Sequence, residues 1–185
     1  MGFLDKLFNS AKRKDREPPE EQLKQLHPLE KFVLNFSENN GKLLLARSEE
    51  QIRKYLSYIL KEENKPRYWT YDKEIRKQFL KDLPVSKELK PEKTSILLAY
   101  AHYLIESDGG IMFTAYEIGE FRLIDLPDTF VFLATPEQLI ETKEKGMELI
   151  NRRFHKSLPS PIRTIKNFGK DEDSFSKNVY LILYV

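Results

Sequence analysis

No cysteine occurs in the 185 residues, which removes disulfides, thiolate zinc sites, iron–sulfur ligation and cysteine nucleophiles together. Histidine is almost as scarce: His27, His102 and His155 are the three present, too few to anticipate a metal centre, and no cofactor is expected. Glycine numbers only 7, and no G-x-G-x-x-G, Walker A, H-E-x-x-H or G-x-S-x-G pattern occurs, so nucleotide loops, zincins and the usual serine hydrolases receive no support. Charge of one sign is lacking too, since Lys and Arg total 31 against 29 Asp and Glu. A net charge of +2 offers no field for nucleic acid, so no nucleic-acid partner is expected. No apolar stretch approaches the roughly 20 residues of a membrane span, and no signal-peptide pattern opens the chain. A cytoplasmic location is the expectation.

What is present is apolar material for a core: 40% hydrophobic residues, with 12 Phe, 9 Tyr and 1 Trp. That composition and length suit one globular domain. Ahead of it, Phe3, Leu4, Leu7, Phe8 and Ala11 gather into one stripe on a helix over residues 1–11, flanked by Lys6, Lys12, Arg13 and Lys14. Such a helix can lie in a membrane interface through Phe3, Leu4, Leu7 and Phe8, on the inner face of the membrane, or it can dock on protein. Gly2 does not make a myristoylation site, because Lys6 stands where Ser or Thr is needed. Residues 12–27 are charged, contain Pro18 and Pro19, and read as a flexible tether. The domain is expected over 28–185.

Pro28 suits the first turn of a helix carrying Leu29, Phe32, Val33 and Phe36, which Asn39, Asn40 and Gly41 stop. A strand over Lys42–Ala46 follows, then a helix capped by Ser48 and Gln51 that carries Ile52, Tyr55, Leu56, Ile59 and Leu60. Arg67–Tyr71 reads as a strand, and Asp72 caps the next helix. Ser95–Tyr100 is apolar enough for a buried strand or helix; a strand leading into a short helix through Leu104 and Ile105 is the reading. Ile111–Ala115 and Thr129–Ala134 read as buried strands, and Thr135 and Pro136 as the opening of a helix with Leu139, Ile140, Met147 and Ile150 inside. Two last strands, Ile162–Phe168 and Asn178–Val185, have no helix between them, so an antiparallel pair is expected. The class is α/β, a mostly parallel sheet covered by helices on both faces.

In such folds ligands sit beyond the carboxyl ends of the strands. The turn Glu106-Ser107-Asp108-Gly109-Gly110 offers carboxylates, a hydroxyl and glycines that admit close approach, though it reads first as an ordinary turn into a strand. Arg122 can hold a carboxylate or phosphate, or pair with Glu120 or Asp125. His102, between Tyr100 and Tyr103, reads as a core histidine satisfied by one hydrogen bond, with a general base as the alternative. Glu106, Asp108 and His102 are thus the catalytic candidates, and Glu106, Ser107, Asp108, Gly109, Gly110, Thr114 and Arg122 the ligand-binding ones. Asp171, Glu172 and Asp173 lack the spacing of a calcium loop. Trp69 with Tyr68 and Tyr71 suits a core strand better than a base-stacking platform.

From Ile96 to Ile150 the chain resembles the lactate-utilisation (LUD) domain family of LutC/YkgG type, in its short divergent members. The resemblance rests on the Glu106 turn, the glycine pair before Ile111-Met112-Phe113, an arginine before Leu126-Pro127, Phe130-Val131-Phe132 and Gln138-Leu139-Ile140. The opening Gly-Phe-Leu-Asp-Lys-Leu-Phe and the endings Thr164–Phe168 and Ser176–Leu181 extend it. It implies a fold of the NagB/RpiA/CoA-transferase-like group and a non-redox accessory or small-ligand-binding role in L-lactate utilisation beside iron–sulfur subunits. It also implies a small organic acid, phosphate or CoA-type ligand. The alternatives are an enzyme of that fold group acting on a phosphorylated or CoA-linked molecule, and a membrane-docked interaction protein. Three family features differ: the family's Glu-Thr-Gly-Thr turn appears as Glu106-Ser107-Asp108-Gly109-Gly110, Phe130 stands where a histidine is usual, and Gly169-Lys170-Asp171-Glu172-Asp173 replaces a glycine-rich segment.

Overall fold

A computed structural model describes residues 27–166, 168–169 and 177–185. The apolar stripe of residues 1–11, nearly all of the tether and the Asp171–Asp173 acidic group lie outside the described residues. Helix α1 (Pro28–Glu38) begins as its sequence dictates: Pro28 occupies the first turn, and His27 and Glu30 cap each other's backbone N–H groups. It ends at Asn39 and at Asn40, which takes φ 63°. Strand β1 (Lys42–Ala46) leads to α2 (Glu49–Glu62), where Ser48 Oγ accepts from Gln51 N at 3.2 Å. The other half of the box is displaced, because Gln51 Oε1 accepts from Arg47 N rather than from Ser48. Then come β2 (Tyr68–Trp69), α3 (Lys73–Phe79) under the Asp72 cap, β3 (Ile96–Tyr100), β4 (Tyr103–Ile105) and β5 (Gly110–Thr114). The chain continues through the short α4 (Ala115–Ile118), β6 (Thr129–Ala134), β7 (Leu139–Ile140), α5 (Lys143–Arg153), β8 (Ile162–Ile165) and β9 (Asn178–Tyr184).

Five strands form a central sheet in the order β1-β9-β6-β3-β2, and every neighbouring pair is parallel. Successive residues of β3 and β6 point to opposite faces. Leu98 and Val131 meet Leu56 and Ile59 of α2 and Ile75 and Phe79 of α3 on one side. Leu97, Phe130 and Phe132 meet α1 and a second sheet on the other. Coverage of both faces explains why all six residues of β6 are buried and why its sequence shows no polar alternation. The expected α/β class, with a mostly parallel sheet between helices, is the observed one.

Part of the second face is itself a sheet, in the order β7-β4-β5-β8, whose outer side is closed by Ile150 of α5 on Ile105, Met112 and Ile140. Three expectations are corrected by it. The short helix anticipated through Leu104 and Ile105 is strand β4, paired antiparallel with β5, because three residues bounded by a tight turn gain more from a ladder than from less than one helical turn. The helix anticipated at Thr135 opens only at Thr142: Pro136–Gln138 is a single 3₁₀ turn, and Leu139–Ile140 pairs with β4 as β7. The last two strands are not partners, since β8 pairs antiparallel with β5, while β9 enters the central sheet in parallel between β1 and β6.

The amino ends of the central strands are tied by Glu63 at the end of α2, which accepts from Tyr180 Oη at 2.5 Å and Thr129 Oγ1 at 2.9 Å and lies 3.5 Å from Lys42 Nζ. On the other layer the β4–β5 turn docks on the end of α1. Asn35 Nδ2 donates to the Glu106 carbonyl at 2.7 Å and Asn39 Nδ2 to the Asp108 carbonyl at 2.6 Å. Gly109 there has φ +66°, and a Cβ on it would stand 2.3 Å from the Phe36 amide nitrogen. Backbone cannot yield as a side-chain tip can, so Gly109→Ala combines strain with a clash. It is expected to cost about 3 kcal/mol, read from the urea midpoint; an unchanged midpoint would mean that the turn is not locked against α1.

Candidate functional site

Leaving β3, the chain must pass from the central sheet into the small one, and it does so at Ala101 and His102. Ala101 N donates to the Leu133 carbonyl on β6, and His102 N to the Met112 carbonyl on β5 at 2.8 Å. The Ala101 carbonyl accepts from Gln138 Nε2. Gln138 also closes the turn after β6, its Oε1 accepting from Thr135 N at 2.8 Å. The loops beyond the carboxyl ends of β3 and β6 are thereby held together, in the region where ligands bind in open α/β sheets.

The His102 side chain is 8% exposed, and its Nδ1 lies 2.7 Å from Glu117 Oε1. The other carboxylate oxygen of Glu117 accepts from Thr114 N at 2.6 Å and Thr114 Oγ1 at 2.8 Å, while Thr114 caps α4. Burial works to raise the Glu117 pKa, but the hydrogen bonds from His102 and Thr114 and the His102 charge outweigh it, and the group sits below its ordinary value. An ionised carboxylate can only accept, so Nδ1 of His102 presents its N–H to Glu117. Nε2 is buried and has no hydrogen-bond partner among the described residues. A buried polar atom without a partner costs about 1–3 kcal/mol.

His102 and Glu117 line a cleft of about 460 Å³ with Tyr116, Glu137, Arg153 and Phe154. The Arg153 guanidinium lies 5.3 Å over the Phe154 ring, and that ring is 6.2 Å from the imidazole and 5.0 Å from Tyr116. One guanidinium, one imidazole, two carboxylates and aromatic walls give it the mixed polar and apolar lining of a small-molecule site. A second cavity of about 190 Å³ lies beyond the ends of β3, β6 and β9 among Tyr100, Ala134, Thr135, Ile182 and Tyr184, with Gln138 lining both. Among the described residues no three His, Asp or Glu side chains converge as metal ligands.

The residues anticipated from sequence divide between two ends of the β4–β5 hairpin. His102 and Thr114 stand together at its open end. Glu106, Ser107, Asp108, Gly109 and Gly110 form the turn at the other end. There Glu106 pairs with Lys31 at 3.0 Å, Ser107 N donates to the Glu141 carbonyl, and Asp108 meets Lys166 at 3.2 Å and Gly110 N at 2.9 Å. Arg122, with 77% of its side chain exposed, forks onto Asp125 at 2.7 and 3.0 Å, outside the cleft. Glu117 and Gln138 were missed by sequence reasoning. Both stand three residues after a capping threonine at the end of a strand or just beyond it, Thr114 and Thr135, and that capping-box spacing was the available signal.

Because folded Glu117 is more acidic than the unfolded residue, the stability it contributes is complete above the unfolded pKa of about 4.3 and is lost as pH falls through the folded value. Glu117→Gln is therefore expected to cost about 1–3 kcal/mol at neutral pH. The gap to the wild type should shrink as pH falls below about 4.3, as read from urea midpoints across that range; a pH-independent gap contradicts the ionised pairing.

No protein-family model matches this chain, and no curated protein does. Among solved structures it is similar to the crystal structure of a DUF162 family protein from Deinococcus radiodurans, at 14% identity, with a TM-score of 0.65 over 85% of this chain and 96% of the other. At that identity the likeness is one of fold: the α/β architecture described above is shared with that protein nearly from end to end.

Proposed function

We propose that this chain is a LUD-type domain that binds a small organic acid in the cleft beside His102, and that it serves lactate utilisation as a subunit without redox centres of its own. DUF162 and LUD are names for the same domain family, so the structural likeness and the sequence resemblance point in one direction. The single observation that carries the ligand assignment is the His102 imidazole, oriented by Glu117 beside a cleft that Arg153 also lines. Arg153 supplies a planar fork for a carboxylate, and the aromatic walls limit the size of what enters. The chain's lack of cysteine suits a subunit that leaves electron transfer to iron–sulfur partners.

Calorimetry of the full chain against L-lactate, propionate, phosphate and CoA tests this reading. The two carboxylates are expected to bind. His102→Ala and Arg153→Ala should each weaken them ~10–100-fold, the loss of one charge-assisted hydrogen bond, while Arg122→Ala should leave affinity unchanged. Wild-type affinity in His102→Ala would remove the cleft from consideration. Binding of CoA or phosphate alone would favour an enzyme acting on CoA-linked or phosphorylated molecules.

A further inference from the structure

We infer that the cleft is built for an acid that also carries a positive charge, an α-amino acid whose carboxylate meets Arg153 and whose ammonium group meets Glu137. This rests on the organic-acid reading of the cleft and narrows the class of acid.

The lining is not that of a plain anion site, because two carboxylates share it with the guanidinium, and they are differently engaged. Both oxygens of Glu117 are taken, one by His102 Nδ1 and the other by the Thr114 N–H and hydroxyl. Glu137, in the 3₁₀ turn after β6, draws on the Thr135 hydroxyl and its own backbone N–H, which hold its carboxyl below the ordinary value without help from any cation. Arg153, the last residue of α5, is its counterpart with the sign reversed. On the same helix Glu148 is held by Lys145 and Arg152, whereas the Arg153 guanidinium lies over the Phe154 ring and pairs with no carboxylate among the described residues. One cation and one anion from separate elements thus line a single cleft without neutralising each other.

A bare carboxylate docked on Arg153 enters a space that already holds the Glu137 charge, and like charges in one site oppose each other. The hydroxyl of a 2-hydroxy acid can donate to Glu137, yet both negative charges remain. An ammonium group on the same carbon donates and also cancels one of them, so each protein charge gains an opposite partner from a ligand whose own net charge is zero. Glu137 and Arg153 are exposed residues, so solvent screens these pairings and the preference they give is moderate. The cleft of about 460 Å³ has more room than a three-carbon acid fills, and the rings of Tyr116 and Phe154, 5.0 Å apart, are the apolar wall against which an amino-acid side chain lies.

Calorimetry of the full chain at neutral pH with L-alanine, L-lactate and propionate isolates the charge, since the three acids share one carbon skeleton and carry an ammonium group, a hydroxyl or a hydrogen beside the carboxylate. L-Alanine is expected to bind about tenfold more tightly than L-lactate, and L-lactate more tightly than propionate. Glu137→Gln keeps the shape and an acceptor oxygen while removing the charge. It should weaken L-alanine about tenfold and tighten L-lactate, opposite changes that general damage to the cleft would not produce. L-Alanine binding no tighter than L-lactate, or a preference for L-alanine that survives in Glu137→Gln, overturns the amino-acid assignment while leaving the organic-acid site standing. Failure of all three acids to bind removes the site and the assignment together.

Discussion

Two sheets lie face to face in this chain, and the strand that leaves one for the other must carry its peptide groups across an apolar seam. Everything at the candidate site follows from how that crossing is satisfied. Ala101 and His102 spend their N–H groups on β6 and β5, and the Ala101 carbonyl is met by the amide of Gln138. A buried peptide group without such a partner would cost as much as several well-packed methyl groups contribute. The crossing therefore fixes where His102 stands, and it brings the two loops beyond the carboxyl ends of β3 and β6 into contact. The position best placed for a ligand is created by a backbone requirement, not by a motif.

The same economy appears in Glu117, whose two oxygens do different work. One completes the capping box of a four-residue helix that would scarcely form alone, and the other orients the imidazole. Thr114 links the roles, since its N–H and hydroxyl both reach the carboxylate. Local helix chemistry and site electrostatics are thus coupled through one side chain.

How much of this was legible in the sequence depends on the range of the interaction that decides each feature. Pro28, Ser48, Asp72 and the apolar spacing of Ile52, Leu56 and Ile59 act within a few residues, and the elements they announce are present. Leu104, Ile105, Leu139 and Ile140 misled because a short apolar run fits a helix or a strand equally well, and only pairing between segments far apart in the chain settles it. The partnering of β8 and β9 was hidden for the same reason. At the site, His102 was visible as a histidine among aromatics. That Glu117 and not Glu106 faces it depends on the hairpin geometry, which puts Thr114 and His102 at one end and the acidic turn at the other.

Strand β9 has implications for how the molecule is assembled. Among the described residues it is the last element in chain order, yet it lies inside the central sheet, and β1 pairs with no other described strand. Lys42 finds Tyr180, and Ala46 finds Tyr184, only after all the strands between them in the chain exist. During synthesis β1 must wait with an unpaired edge while β6 waits with another, and the sheet closes when β9 slides between them. Such closure is a long-range and hence slow event, and until it occurs the nascent chain presents two apolar strand edges of the kind that invite association. A chain interrupted before Asn178 would keep β1 and β6 with no strand between them, a sheet divided in two.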